Sequence, residues 1–149
     1  MPRTPARMAA LMASPDDLEA LFYESLQTGD IDRLMELWSD EDEVVCVHPG
    51  GGRLVGLAAI RQSFETIFKE GTVPVTPSEV HRVQQPGMAV HSVLEWVELE
   101  LPEGRRSAAV FATNVYVQTA KGWRIVAHHA SPGEVQDATV EPISHGPLH

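Results

Sequence analysis

Residues 44–56 read VVCVHPGGGRLVG, and a helical run begins directly after them at Leu57. The first four residues are apolar and three of them are β-branched, which predicts a buried strand. Pro49 cannot continue the hydrogen-bond ladder of a sheet, and the three glycines that follow allow the backbone to turn sharply. His48 ends the predicted strand and Arg53 follows the turn. This strand, turn and helix therefore bring two polar side chains to the expected mouth of a pocket.

Three helices are predicted around this stretch. The first begins at Ser14, which can cap a helix, and ends at Gly29. Asp30 caps a second, short helix, and the third covers residues 57–69. Apolar side chains recur in each at the spacing of three and four residues that one buried helix face requires. They are Leu18, Leu21, Phe22 and Leu26 in the first helix, Ile31, Leu34, Leu37 and Trp38 in the second, and Ile60, Phe64, Ile67 and Phe68 in the third.

The second half of the chain is dominated by predicted strands. Long strand candidates cover residues 88–101, 106–119 and 123–131, and a shorter one covers residues 78–83. The Gly-containing segments between the long candidates are typical of the turns of antiparallel hairpins. Helices grouped ahead of antiparallel strands indicate an α+β domain rather than repeated βαβ units.

The composition limits the classes of function. At 149 residues the chain fits one domain, and its hydrophobic content of 43% argues against wholesale disorder. The formal net charge is −10, which argues against a nucleic-acid or anionic-membrane partner, because such partners need a basic surface. The sequence also contains no apolar run long enough to cross a bilayer.

The two ends and the single cysteine complete the domain prediction. Residues 1–13 are too short and too weakly apolar for a signal peptide and are expected to form a flexible extension. Residues 132–149 contain three prolines and two glycines and are expected to form a mobile tail. Cys46 is the single cysteine of the sequence, so an internal disulfide framework is excluded. We interpret Cys46 as a small buried hydrophobe. These features predict a cytoplasmic protein with a single domain at residues 14–131.

No cofactor motif is evident in the sequence. It lacks a G-x-G-x-x-G segment, a Walker-type loop, H-E-x-x-H, G-x-S-x-G and paired C-x-x-C motifs. The acidic residues 40–43 lack the glycine and the spacing of a calcium loop. His48, His91 and His129 could supply three metal ligands, but nothing in their spacing requires a metal. We therefore predict neither a cofactor nor a metal site.

Three segments carry a family resemblance. They read FYESLQTGD (residues 22–30), VVCVHPGGGR (residues 44–53, with Gly56 and Ile60 beyond) and GWRIVAHHAS (residues 122–131). These segments resemble the SnoaL-like branch of the superfamily that includes nuclear transport factor 2 and ketosteroid isomerase. The resemblance implies a cystatin-like α+β cone, in which three helices pack into the concave face of a strongly curved, mainly antiparallel sheet. It also implies a cone open at one end and a homodimer formed through the outer face of the sheet.

The function implied by this resemblance is broad. The same superfold hosts isomerases, cyclases, dehydratases, hydrolases and non-enzymatic binding modules, so the fold alone assigns no activity. We expect a small, largely apolar molecule to bind inside the cone, with acid-base chemistry on a carbonyl compound as one activity. The alternative is a module that binds a ligand or associates with a protein partner without catalysis.

Strand alternation selects the candidate catalytic side chains. His129 shares a face with the apolar residues that begin the last predicted strand, so we predict that His129 faces the interior and His128 the outer face. A histidine in a partly buried site titrates near neutral pH and can transfer a proton. Our hypothesis is that His129 or His48 moves the proton while Arg53 stabilises an oxyanion.

Each of these three residues also has a purely structural interpretation. His48 could hydrogen-bond the glycine turn, Arg53 could pair with the acidic residues 40–43, and His129 could satisfy a neighbouring backbone group. Alternation does not reveal which faces of the middle strands point inward, and Trp96 suits a pocket or an interface between copies equally well. The side chains predicted to contact a ligand are Tyr23, Trp38, Trp96, Thr113, Asn114, Tyr116, Trp123 and Ser131.

Overall fold

The computed structural model describes residues 12–137, with side chains described through residue 133. Within this range the chain forms three helices and one six-stranded sheet. Residues 1–11 of the predicted extension and residues 138–149 of the predicted tail lie outside the described residues. Met12 is buried and the last strand reaches Asp137, so the described structure extends past both predicted domain boundaries.

The helices begin and end where local sequence predicts. Helix α1 spans Pro15–Thr28, α2 spans Ile31–Glu36 and α3 spans Leu57–Lys69. Ser14 Oγ accepts a hydrogen bond of 3.0 Å from the backbone N–H of Asp17, a cap that typically stabilises a helix by about 1 kcal/mol. None of the helices in residues 12–137 has both the length and the apolar character needed to cross a membrane.

The strands of the described chain form one curved sheet. Its strands are β1 (Val45–Val47), β2 (Arg53–Val55), β3 (Val75–Gln85), β4 (Met88–Leu101), β5 (Gly104–Thr119) and β6 (Gly122–Asp137). The strand order is β2-β1-β6-β5-β4-β3, and every neighbouring pair is antiparallel except β1 and β6. The arrangement is the predicted α+β fold, with one unpredicted element: the residues after the glycine turn form β2 and pair with β1.

The helices cover one face of the sheet, which we call the inner face; the opposite one is the outer face. On β4 the buried residues Ala89, His91, Val93 and Glu95 point to the inner face. On β5 the inner residues are Val110, Ala112, Asn114 and Tyr116, which pair directly with those of β4. Apolar side chains of α1 and α3 pack over them and form the core, chiefly Leu18, Phe22, Leu26, Ile60 and Phe64.

Strand β6 changes face at a β-bulge. Tyr116 pairs with Ile125 and Val115 pairs with Ala127, which leaves Val126 as an extra residue on β6. An extra residue shifts the alternation by one position. Trp123 and Ile125 are therefore inward before the bulge, whereas His128 and Ala130 are inward after it. The prediction that His129 faces the interior and His128 the outer face is wrong for this reason.

Candidate functional site

A cavity of about 360 Å³ opens between the inner face of the sheet and helices α1 and α3. Three of its lining residues are polar: His48, Glu95 and His128. The other lining residues are Leu26, Pro49, Phe64, Ile67, Val73, Val75, Val97, Ala108, Ala109, Val110, Ala130 and Pro132. Neither Lys nor Arg occurs among the described residues of the lining. The cavity is thus apolar, with an acidic group and two imidazoles in its wall.

Glu95 is the carboxyl group of the cavity. Its side chain belongs to a residue only 5% exposed, and the hydroxyl of Tyr23 donates a hydrogen bond of 2.6 Å to its Oε2. Burial raises the pKa of Glu95 to about 7, the hydrogen bond from Tyr23 opposes the rise, and the charge of Glu19 adds to it. A carboxyl group with a pKa near neutral can both accept and donate a proton at physiological pH.

A buried polar network lies behind Glu95. The carboxyl Oε2 of Glu19 accepts hydrogen bonds from Tyr116 Oη at 2.5 Å, His91 Nδ1 at 3.0 Å and Asn114 Nδ2 at 3.4 Å. Asn114 Nδ2 also donates to the hydroxyl of Tyr23 at 3.2 Å. Burial, followed by the charge of the adjacent glutamate, raises the pKa of both tyrosines, so each phenol keeps the proton that it donates. The network holds Tyr23 in place against Glu95.

His128 is the second polar group of the cavity wall. Its Nδ1 lies 2.5 Å from Asn114 Oδ1, and its ring packs against Phe22 at a centroid distance of 5.0 Å. Burial lowers the pKa of His128 to about 3, with smaller contributions from His48 and His129. The imidazole is therefore neutral at physiological pH.

His48 reaches the cavity from the end of β1. Its Nε2 lies 2.8 Å from Ser63 Oγ on α3, and its ring meets Phe64 edge-on at a centroid distance of 4.9 Å. Burial lowers the pKa of this histidine as well. The side chain bonds Ser63, whereas the glycine turn is closed by the backbone, through a bond of 2.8 Å from Gly51 N to His48 O.

A family profile described as a SnoaL-like domain matches residues 16–133. The chain belongs to the SnoaL-like family. No curated protein matches it.

Solved structures support the assignment of this SnoaL-like domain. A proposed calcium/calmodulin-dependent protein kinase type II association domain from Thiobacillus denitrificans is 32% identical, with a TM-score of 0.75 over 83% of this chain and 98% of that one. A proposed dehydratase of the NTF2-like family from Streptomyces avermitilis is 26% identical, with a TM-score of 0.72 over 87% and 99%. A cystatin-like protein from Caulobacter vibrioides, 18% identical with a TM-score of 0.68 over 80% and 87%, shares the fold. The predicted superfamily and the cystatin-like α+β fold are confirmed.

The three predicted catalytic residues of the SnoaL-like domain do not converge. Arg53 and His129 both pair with Val47, on opposite sides of β1, and both are exposed on the outer face. His48 is one residue further along and therefore points to the inner face. Of the three, only His48 lines the cavity. The expected convergence is wrong because the sheet itself separates His48 from the other two side chains.

The eight predicted ligand contacts divide into three groups, and none of them lines the cone cavity. Tyr23, Asn114 and Tyr116 belong to the buried network behind it. Trp38 lines a separate cavity of about 380 Å³. Trp123 is buried, and its backbone N–H donates to the backbone oxygen of Met12 at 2.9 Å. Trp96, Thr113 and Ser131 point to the outer face, because their strand neighbours Glu95, Asn114 and Ala130 point inward.

Neither Glu95 nor His128 is among the predicted site residues. Glu95 alternates with Leu94 and Trp96 and shares its face with His91, Val93 and Val97. The sequence does place the carboxyl group of Glu95 between two valines on one strand face. This pattern indicates a buried carboxyl group only if that face is known to be the inner one. For His128 the sequence offered no signal, because the bulge at Val126 depends on the register of β6 against β5.

Four of the possible metal ligands, Asp16, Glu19, His48 and His91, each bond another group of the protein. His48, His91 and His129 do not meet, since His129 is on the outer face and His91 bonds Glu19. Donor atoms of Asp16, Glu19 and His91 do lie within 4.8 Å of one another. However, Asp16 Oδ1 accepts a bond of 2.8 Å from Arg82 Nε, and Glu19 Oε2 already accepts three hydrogen bonds. Pairing within the protein explains this group without an ion.

Proposed function

We propose that this domain binds a neutral, largely apolar carbonyl compound in the cone cavity and transfers a proton on it through Glu95. The observation that carries the proposal is the buried carboxyl group of Glu95 in the wall of a largely apolar cavity, where burial raises its pKa to about 7. A carboxyl group tuned toward neutral pH by burial is typical of general acid-base catalysis. The lack of Lys and Arg in the described lining favours a neutral ligand, because a buried anion would lack a counter-charge.

The proposed reaction is a proton transfer at carbon. The ionised Glu95 removes a proton from the carbon next to the carbonyl, and the C–H bonding electrons become part of the enolate. The protonated Glu95 then returns the proton to that carbon, and the enolate electrons form the new C–H bond. The Tyr23 hydroxyl donates a hydrogen bond to Glu95 Oε2 and so orients the carboxyl group. The other carboxyl oxygen of Glu95, Oε1, is left to contact the ligand.

Deuterium exchange tests this proposal without knowledge of the natural substrate. The probe is 1-indanone, a neutral bicyclic ketone small enough for the cavity, incubated with the protein in heavy water and followed by proton NMR. We expect the protein to accelerate exchange at the carbon next to the carbonyl. The Glu95→Gln variant should lose at least about a hundredfold of that acceleration, the usual lower contribution of a general base.

Glu100→Gln is the matched control for Glu95→Gln, because it removes a different carboxylate from the same strand. The Glu100 side chain on β4 is 81% exposed, and Glu100→Gln should exchange the probe at the rate of the natural chain. Unchanged exchange by Glu95→Gln would contradict the assignment of Glu95. Binding of 1-indanone without accelerated exchange by the natural chain would favour a ligand-binding module.

A second candidate function is self-association through the outer face. Phe111 on that face is 58% exposed, and it pairs with Leu94 of β4 and Ser131 of β6. The similar structure from Thiobacillus denitrificans is named as an association domain. We propose that two copies of this chain pair with Phe111 at the centre of the contact. This proposal is compatible with chemistry in the cavity, because the two sites lie on opposite faces of the sheet.

A further inference from the structure

The hydrogen bonds around Asn114 fix the orientation of its amide. Its Nδ2 faces Glu19 Oε2 at 3.4 Å and the hydroxyl of Tyr23 at 3.2 Å. Tyr23 donates its own proton to Glu95, so the tyrosine oxygen is free to accept from the amide. The amide nitrogen is therefore directed to two acceptors, and the amide oxygen is directed to His128.

The orientation of Asn114 in turn fixes the tautomer of His128. Asn114 Oδ1 can only accept, so His128 Nδ1, which lies 2.5 Å away, carries the proton. Burial lowers the pKa of the ring to about 3 and keeps it neutral, which leaves Nε2 with a lone pair and no proton. No described residue forms a hydrogen bond with Nε2, and the ring lines the cavity. The cavity wall thus contains a hydrogen-bond acceptor that no protein donor satisfies in the described chain.

We propose that His128 Nε2 accepts a hydrogen bond from a hydroxyl group of the ligand, so that the ligand of this cavity is a neutral hydroxylated carbonyl compound. This inference rests on the proposed function, because it adds a recognition group to the site in which Glu95 transfers the proton. His128 selects the ligand and does not take the proton from carbon. Asn114 is a positioning residue that acts through His128.

Nitrogen NMR tests the tautomer in the natural full-length chain. Long-range proton–nitrogen correlation on protein labelled with ¹⁵N-histidine distinguishes a protonated ring nitrogen from one with a lone pair. We expect His128 at neutral pH to show a protonated Nδ1 and an unprotonated Nε2. A protonated Nε2 would overturn the inference, because the ring would then donate into the cavity.

A ligand series tests the recognition itself. The probes are 3-hydroxy-1-indanone, 3-methoxy-1-indanone and 1-indanone, which share one skeleton and differ in whether they offer a hydroxyl donor. We expect the hydroxy ketone to bind about threefold to tenfold more tightly than the other two, as one neutral hydrogen bond permits. His128→Phe should abolish this preference and retain binding of 1-indanone. His129→Phe is the matched control, since that neighbouring histidine is exposed on the outer face and its replacement should leave the preference intact.

The outcomes separate this inference from the proposed function. Equal binding of the three ketones, together with deuterium exchange that depends on Glu95, would overturn the role of His128 and leave the role of Glu95 standing. No binding of any of the three would overturn both. The NMR measurement and the ligand series on the natural chain decide the matter even if His128→Phe fails to fold.

Discussion

The burial of Glu95 makes the free energy of unfolding depend on pH. Its pKa is raised from 4.5 to about 7 in the folded chain, so between these values the folded chain holds a proton that the unfolded chain has lost. The contribution of Glu95 to the free energy of unfolding therefore falls as the pH rises through this window, by about 3 kcal/mol in total. We expect Glu95→Gln to gain about that much stability relative to the natural chain between about pH 4 and about pH 8.

Urea denaturation of both proteins at the two pH values measures this difference. The comparison between the two chains is needed because His128 acts in the opposite direction. Its pKa is lowered from 6.5 to about 3, so its contribution to stability is lost as the pH falls below 6.5. The difference between the two chains cancels that contribution, and Glu100→Gln, which changes a side chain that is 81% exposed, is the matched control. A pH-independent difference for Glu95→Gln would mean that this carboxyl group titrates normally.

The burial of a single residue could be predicted where its sequence neighbours alone determine whether its side chain is buried. Cys46 was interpreted as a buried hydrophobe, and it is fully buried with a pKa raised to about 12 by burial. Four adjacent apolar residues are enough for that conclusion. Glu95 lies in a strand with mixed residues on both faces, and only the helices that cover the inner face reveal that it is buried. No window of local sequence contains that information.

Among the elements, β6 depends on one glycine for its approach to β5. A Cβ added at Gly133 would lie 2.6 Å from the backbone oxygen of Ala109, where a real Cβ contact does not occur. Because that neighbour is backbone, β6 itself has to move. We expect Gly133→Ala to reduce the free energy of unfolding by about 1–3 kcal/mol, the usual cost of overpacking. It should also weaken 1-indanone binding, since Ala109 and Pro132 line the cavity.

Thermal denaturation and titration of 1-indanone measure these two effects. Gly52→Ala is the matched control, because a Cβ at Gly52 has no neighbour within 4 Å. It should leave both quantities close to those of the natural chain. If Gly133→Ala were as stable as Gly52→Ala, the close approach of β6 to β5 would not constrain the fold.

The start of helix α1, which depends on neighbouring residues, was predicted correctly, whereas the faces of strand β6, which depend on pairing between distant residues, were not. The start of α1 follows from a cap at Ser14 that involves residues within one turn, and it was confirmed. The faces of β6 follow from a register that joins residues far apart in the local sequence, such as Val115 and Ala127, which are 12 positions apart. One extra residue at Val126 reverses the faces of the residues that follow it up to Pro132, where a second register shift begins, so the prediction failed at His128 and His129 together.

At the scale of the whole molecule, we expect two copies to form a homodimer through the outer face. A single charged side chain introduced into that face should dissociate it. A Glu at position 111 would bury an unpaired charge at the centre of the proposed contact, at a cost of about 3–5 kcal/mol. We expect Phe111→Glu to raise the dimer dissociation constant at least about a hundredfold, which corresponds to about 3 kcal/mol. Sedimentation velocity should then detect a dimer for the natural chain and a monomer for the variant at the same concentration.

Two comparisons make this whole-molecule prediction specific. Ala58→Glu adds the same charge to an exposed position of α3, away from the outer face, and should remain dimeric. Circular dichroism should show an unchanged fold for Phe111→Glu, since the residue is 58% exposed in the single chain and its replacement removes little from the core. A natural chain that stays monomeric at high micromolar concentration would exclude the outer face as a self-association surface. The cavity chemistry would be unaffected by that result, because Glu95 and His128 point to the opposite face of the same sheet.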